Sequence, residues 1–236
     1  MRLPLVYPIL DTATLARRGV SPALAAEALI EGGARILQFR HKEHFTREMF
    51  ETAKAISAMC RAADVEFVID DRADIALLLN AGLHLGQDDL PPADARRIIG
   101  ESALLGFSTH NEAQLKSAAS DSVDYFAIGP IFATGSKDNP DAVLGLANLT
   151  LLNSLPDGRG SVTALSYRAA TVNALSTLAP RERLPLVAIG GITRANARQV
   201  LAAGANSLAI IGDLYPPECT KQTLRERMEE WLKLVS

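Results

Sequence analysis

Two short apolar runs within residues 67–90, FVIDDRADIALLLNAGLHLGQDDL, each end in acids. Phe67-Val68-Ile69 runs into Asp70-Asp71, and Leu83-His84-Leu85 runs through Gly86-Gln87 into Asp88-Asp89. Carboxylates that converge in space suit a hard, oxygen-seeking cation such as Mg²⁺. Either pair alone also fits helix N-capping or a turn, whereas two pairs at equivalent places favour the cation. Upstream, Gln38, Arg40 and Lys42 alternate, so an extended backbone sets them on one face and Leu37, Phe39 and His41 on the other. A parallel strand is normally buried on both faces, and three long polar side chains on one face are tolerable where that face opens into a solvated mouth holding something charged.

Anion chemistry is written further along. Residues 129–140, GPIFATGSKDNP, gather Thr134, Ser136 and Lys137 around Gly135. Hydroxyls, backbone N–H groups and one ammonium make a phosphate cradle, although the same composition suits an ordinary surface loop. AIGGI at 188–192 and Ile211-Gly212-Asp213 each end an apolar run with glycine, which lets backbone N–H groups approach a second anion or merely turns the chain. His84 sits inside an apolar run, as a core histidine would. His110 follows Ser108-Thr109 and is the better acid–base candidate, or a cap for a helix starting at Asn111.

The elements that must position these residues alternate. Strand patterns at 5–11, 35–40, 67–69, 83–85, 104–108, 125–128, 185–189 and 207–211 are separated by helical patterns at 22–30, 45–63, 73–80, 92–99, 111–119, after Gly145, and at 195–203. Eight strands alternating with helices, with acids, amides, hydroxyls and glycines gathered at strand C-termini, predict an α/β fold of the single (β/α)₈ TIM-barrel type. An open doubly wound sheet would place a glycine-rich loop after the first strand, and none is there. Residues 155–171, LPDGRGSVTALSYRAAT, lack amphipathic period and are expected to form a mobile insertion before strand seven, without chemistry of their own.

Composition sets the outer bounds. A chain of 236 residues fits one barrel, so residues 1–236 are expected to form one domain. A formal charge of −3 supplies no basic field for nucleic acid, so an anionic ligand must be a small molecule held by local cations and amides. Two unpatterned cysteines, Cys60 and Cys219, support neither a disulfide framework nor structural zinc, and no run resembles a signal peptide or a membrane span. A cytoplasmic protein is expected; oligomeric state is not legible.

Taken together, LQFRHK, FVIDDRADIALLL, LHLGQDDLP, LLGFSTHNEAQ, DYFAIGPIFATGSK and LVAIGGITRANARQVLAAGANSLAII resemble the thiamine phosphate synthase family in order and spacing, over most of the chain except the insertion and the tail. The resemblance implies a Mg²⁺-dependent transferase of thiamine biosynthesis. It would join hydroxymethylpyrimidine diphosphate to hydroxyethylthiazole phosphate, the diphosphate leaving by ionisation and the thiazole nitrogen capturing the pyrimidine carbocation. By position, Asp71 and Asp89 match the metal ligands. Gln38, Arg40, Lys42, Asp70, Ser108 and Lys137 match the pyrimidine diphosphate side, and Thr134, Ser136, Gly191, Ile211 and Gly212 the thiazole phosphate side. No acid–base residue is required. Three positions depart from the family: Asp70 stands where Asn is usual, Ser136 where Thr is usual, and Gly212 where Ser is common. Two other readings remain at this stage, a thiazole tautomerase of the same barrel family using His110, and a non-catalytic binder of thiamine precursors.

Overall fold

Every strand pairs in parallel with its successor in sequence, and the last pairs with the first. The structure, a computed structural model, describes residues 3–118, 122–134, 142–154 and 184–236. The strands β1 (Val6–Asp11), β2 (Ile36–Arg40), β3 (Glu66–Asp70), β4 (Gly82–Leu85), β5 (Leu105–Thr109), β6 (Tyr125–Ile128), β7 (Leu186–Ile189) and β8 (Ser207–Ile210) close a barrel in chain order, so the fold is the expected (β/α)₈ barrel. Parallel neighbours need long crossovers, and helices supply them. Among the described residues these are α1 (Thr12–Arg17), α2 (Pro22–Glu31), α3 (Arg47–Ala62), α4 (Ala73–Leu79), α5 (Pro92–Ile99), α6 (Glu112–Ser117), α7 (Gly145–Ser154), α8 (Ala197–Ala202) and α9 (Lys221–Val235), with one 3₁₀ turn at Gly212–Leu214. The 155–171 segment lies outside the described residues.

Local sequence explains the helix starts. Ser21 accepts a hydrogen bond from the Leu24 N–H ahead of Pro22, whose missing N–H costs nothing in the first turn, and Thr46 does the same for Met49. Asn80 closes α4 in the left-handed region at φ 49°, a conformation that asparagine tolerates.

Two apolar clusters divide the core. Tyr7, Ile9, Ile36, Val68, Tyr125, Ala127, Val187 and Ala209 pack together in one, while the larger cluster joins the alternate strand positions to the helices. Because strand side chains alternate, Gln38 and Arg40 share the side of Ile36, Asp70 that of Val68, and Ser108 that of Gly106. On that side β2, β3 and β5 therefore carry polar groups at their C-terminal ends, and this part of the barrel mouth is polar by the period of its strands.

At the N-terminal end Leu5 lies in a bend rather than in the strand, and Asp11 ends β1 as expected while also capping α1, a helix the pattern does not reveal. At the other end α9 buries Leu224, Met228 and Trp231, and a Thr220–Thr223 capping box starts it. It lies so close to α2 that a Cβ on Gly32 would stand 2.7 Å from the Met228 Cβ; that glycine is a helix-packing contact as well as a helix end.

Candidate active site

The C-terminal strand ends and their loops surround a cavity of about 1000 Å³. Among its walls are Gln38, Arg40, Lys42, Asp70, Asp71, Ser108, Asp89, Thr134, Gly191, Ile211 and Gly212. The structure thus brings together eleven of the thirteen residues assigned above; Ser136 and Lys137 lie outside the described residues. The volume is at the upper end for small-molecule pockets, with room for two small substrates side by side.

Arg40, near the end of β2, ion-pairs with Asp11 of β1 and stands 3.6 Å from Asp70 Oδ2. Lys42 reaches across to β3, its Nζ 2.9 Å from Asp70 Oδ2 and 2.5 Å from Asp71 Oδ2. Burial disfavours the ammonium, yet the two carboxylates outweigh it and raise the Lys42 pKa. Such a cluster is a poor device for stability, because pairs with one partner 45 % exposed contribute about 0–1 kcal/mol while the 6 %-exposed Asp70 bears a desolvation cost. Its placement at the mouth points to binding.

Asp71 sits just past β3 in the left-handed region, φ 64°, with its N–H donated to the His84 carbonyl at 2.8 Å. That turn sends its carboxyl towards Asp89. Burial first, then the charge of Asp70, push Asp71 up to about 7, and a hydrogen bond with the Asp89 carboxyl adds to the rise. Asp89 Oδ2 is fixed by the Gly86 N–H at 2.6 Å. Asp70 Oδ2 and Asp71 Oδ1 are buried without an aligned hydrogen-bond donor, although the Lys42 ammonium lies at ion-pair distance from the first. Asp88, by contrast, is exposed.

The donor set is right for Mg²⁺. Acidic oxygens with unfilled lone pairs, and one carboxyl whose ionisation is opposed by burial and by the charge of Asp70, are what a hard dication relieves. No cluster of three or more His, Cys, Asp or Glu among the described residues could hold a metal alone. Mg²⁺ typically takes one or two carboxylates and completes its shell with water and substrate phosphate, so two protein ligands suffice.

On the far side of the mouth, Gly190 and Gly191 adopt φ 94° and 63°. A Cβ on Gly190 would stand 2.5 Å from Pro130 Cβ, and one on Gly191 2.6 Å from the Ala133 carbonyl oxygen. The pair therefore does more than turn the chain: it lets the loop after β6 dock on the end of β7, through Ile131 N–H to Ile189 O at 2.9 Å and Phe132 N–H to Gly190 O at 3.0 Å. The helix expected from Ala195 begins at Ala197, because Asn196 folds its side chain back, accepting from the Thr193 N–H and donating to the Gly191 carbonyl. Nothing lies within 4 Å of a Cβ built on Gly212, so the serine common at that position would fit.

His110 also lines the cavity, with its Nδ1 2.8 Å from the Gly129 carbonyl, to which it must donate. It does not cap α6; the Asn111 side chain does, accepting from the Gln114 N–H. His84 is buried as expected, but both ring nitrogens are hydrogen-bonded, Nδ1 to Tyr125 Oη at 3.0 Å and Nε2 to Ser108 Oγ at 2.9 Å. Sequence reasoning missed Asp11, Tyr7, Tyr125 and the Arg194–Asp213 pair beside the 3₁₀ turn. Tyr125 alone left a signal, in the glycine at 106 opposite it.

A family model described as thiamine monophosphate synthase matches residues 6–155 and 161–214. A thiamine-phosphate synthase of Koribacter versatilis is 38 % identical over 100 % of this chain and 97 % of its own length, and one of Chloroflexus aurantiacus 40 % identical over 82 % and 78 %. Among solved structures, a thiamine phosphate pyrophosphorylase from Pyrococcus furiosus superposes with a TM-score of 0.73 at 29 % identity, covering 98 % of this chain and 94 % of that one.

Proposed function

From the premise that this chain belongs to the thiamine monophosphate synthase family, we propose how its mouth is divided between two substrates. The protein is a transferase of thiamine biosynthesis. It condenses hydroxymethylpyrimidine diphosphate with hydroxyethylthiazole phosphate to give thiamine phosphate and pyrophosphate.

The observation that carries the assignment is the side-by-side placement of Arg40 and Lys42 with Asp70, Asp71 and Asp89 along one wall. Departure of a diphosphate by ionisation calls for charge stabilisation and positioning more than for a base. Arg40 and Lys42, joined by Lys137 of the loop after β6, bind the diphosphate. Gln38 and Asp70 face the pyrimidine side, and Ser108 donates to a diphosphate oxygen. Asp71 and Asp89 would hold Mg²⁺, which would supply positive charge to the leaving group. The opposite wall, Gly191, Ile211 and Gly212 with Thr134, takes the thiazole phosphate through backbone N–H groups and a hydroxyl, and Ser136, outside the described residues, is assigned to the same phosphate.

A thiazole tautomerase would use His110 and a precursor binder would need no leaving-group site; neither needs acids beside two cations, and both are disfavoured. We also take the barrel as a single cytoplasmic domain in which 155–171 is an insertion. Among the described residues no helix is long and apolar enough to cross a membrane. The test is an assay with both substrates: thiamine phosphate should form with Mg²⁺ and stop with chelator. No product with Mg²⁺ present would refute the assignment.

A further inference from the structure

Five polar side chains run across the barrel beneath the mouth. Gln38 Nε2 lies 3.3 Å from Tyr7 Oη, Tyr7 Oη 2.9 Å from Tyr125 Oη, Tyr125 Oη 3.0 Å from His84 Nδ1, and His84 Nε2 2.9 Å from Ser108 Oγ. Both chain ends, Gln38 and Ser108, line the cavity together with His84, while the two tyrosines are fully buried. The backbone is shaped for this arrangement. Asp70, His84, Gly106 and Tyr125 are successive register partners across four strands, and a Cβ on Gly106 would lie 2.0 Å from Tyr125 Cζ. The Tyr125 ring stacks on His84 at 5.6 Å and meets Tyr7 edge-on at 6.0 Å.

Hydrogen-bond accounting gives the chain a direction. Gln38 Nε2 can only donate, so Tyr7 Oη accepts there. Each phenol has one proton, and burial pushes both phenols well above their ordinary pKa, so both protons stay on. A buried hydroxyl proton without an acceptor is costly. Tyr7 therefore donates to Tyr125, Tyr125 donates to His84 Nδ1, and a neutral His84 carries its proton on Nε2, from which it donates to Ser108. The Ser108 oxygen is then satisfied from inside the barrel, and its own proton points into the cavity. With the opposite direction, Ser108 would spend its proton on His84 and show only lone pairs to an incoming anion.

We propose that Tyr7, Tyr125 and His84 are positioning residues: the one-way relay from Gln38 locks His84 as the Nε2–H tautomer and thereby orients the Ser108 hydroxyl as a donor to an anionic oxygen of the diphosphate substrate. The proposal rests on the assignment of Ser108 to that substrate. None of the three needs to exchange a proton with substrate.

Nitrogen-15 NMR of the full chain labelled at histidine reads the tautomer directly. The chain has four histidines, and a His84→Asn spectrum assigns the signal. His84 should show a protonated Nε2 and an unprotonated Nδ1 at pH 7.5; an Nδ1–H tautomer or an imidazolium overturns the relay. Tyr125→Phe, which keeps the ring and removes the donor, should give mixed tautomers and lower kcat/KM for the pyrimidine diphosphate roughly tenfold, as expected for a misdirected hydrogen bond to a charged group. Ser108→Ala should cost at least as much, and adding Tyr125→Phe to it should cost nothing further. If Ser108→Ala is harmless, the assignment of Ser108 fails and the relay with it. If Ser108→Ala is slow while Tyr125→Phe keeps both tautomer and rate, the relay alone fails.

Discussion

Replacing Gly106 by Ala tests whether the Tyr125 ring is held where the active-site floor requires it. The added Cβ would stand 2.0 Å from Cζ, 2.3 Å from Oη and 2.5 Å from Cε2 of Tyr125. These atoms cannot step aside, because the ring is 0 % exposed and confined between His84 and Tyr7. Overpacking of a tight core costs about 1–3 kcal/mol. Displacing the hydroxyl from Tyr7 and His84 leaves buried partners unmatched, at about 1 kcal/mol or more each. The sum is a loss of about 3–5 kcal/mol, or about 6–20 °C in Tm at 2–4 °C per kcal/mol for a chain of this size. Thermal and urea melts measure it. Gly212→Ala is the control, since its Cβ meets nothing within 4 Å and should change stability by less than about 0.5 kcal/mol. A loss below about 1 kcal/mol for Gly106→Ala would show that the ring has somewhere else to go, and the packing argument would be wrong.

Three further outcomes follow from the proposed site assignments. The Asp71 carboxyl, raised from 3.8 to about 7, keeps a proton in the native state that the unfolded chain has lost, so its contribution to stability is full below about pH 4 and declines as pH rises to about 7. In chelator, Asp71→Asn should remove that part of the slope in urea midpoints between pH 5 and 8; a variant with the wild-type slope contradicts the assignment. Asp89→Asn should raise the Mg²⁺ concentration for half-maximal turnover at least about tenfold, and an unchanged Mg²⁺ titration would remove Asp89 from the ligand set. Lys137→Ala should lower kcat about 10²–10³-fold, as loss of a donor at a developing anion does; near-normal turnover would argue against that role.

Where side chains alternate, the sequence could be read. The period of two in Gln38, Arg40 and Lys42 sets them on one face, and that face meets the cavity. The acids after β3 and β4 converge because adjacent parallel strands end side by side, which topology alone dictates. What stayed hidden depended on contacts far apart in sequence. Asp11 reads as the end of a strand until Arg40 is beside it. Tyr7 and Tyr125, separated by 118 residues, look like ordinary core aromatics, and only the register of β5 against β6 shows why position 106 must be glycine. His84 read as a core histidine, which is right about burial but leaves out its two hydrogen bonds.

Asp70, the departure from the usual Asn, follows the same logic of distant partners. Its carboxylate is buried between Arg40 and Lys42, so its charge is compensated within the mouth. Yet both cations are also the ones assigned to the diphosphate. The carboxylates of Asp11, Asp70 and Asp71 pair with these two cations, and Asp89 meets Asp71. A bare diphosphate entering such a site meets net negative charge and competes with Asp70 for Arg40 and Lys42. Positive charge brought in with the substrate, together with Lys137 in the role proposed above, would tip that competition. Asp70 thus makes diphosphate binding lean harder on the cation than an asparagine would, and Asp70→Asn should weaken that dependence while leaving the floor of the barrel unchanged.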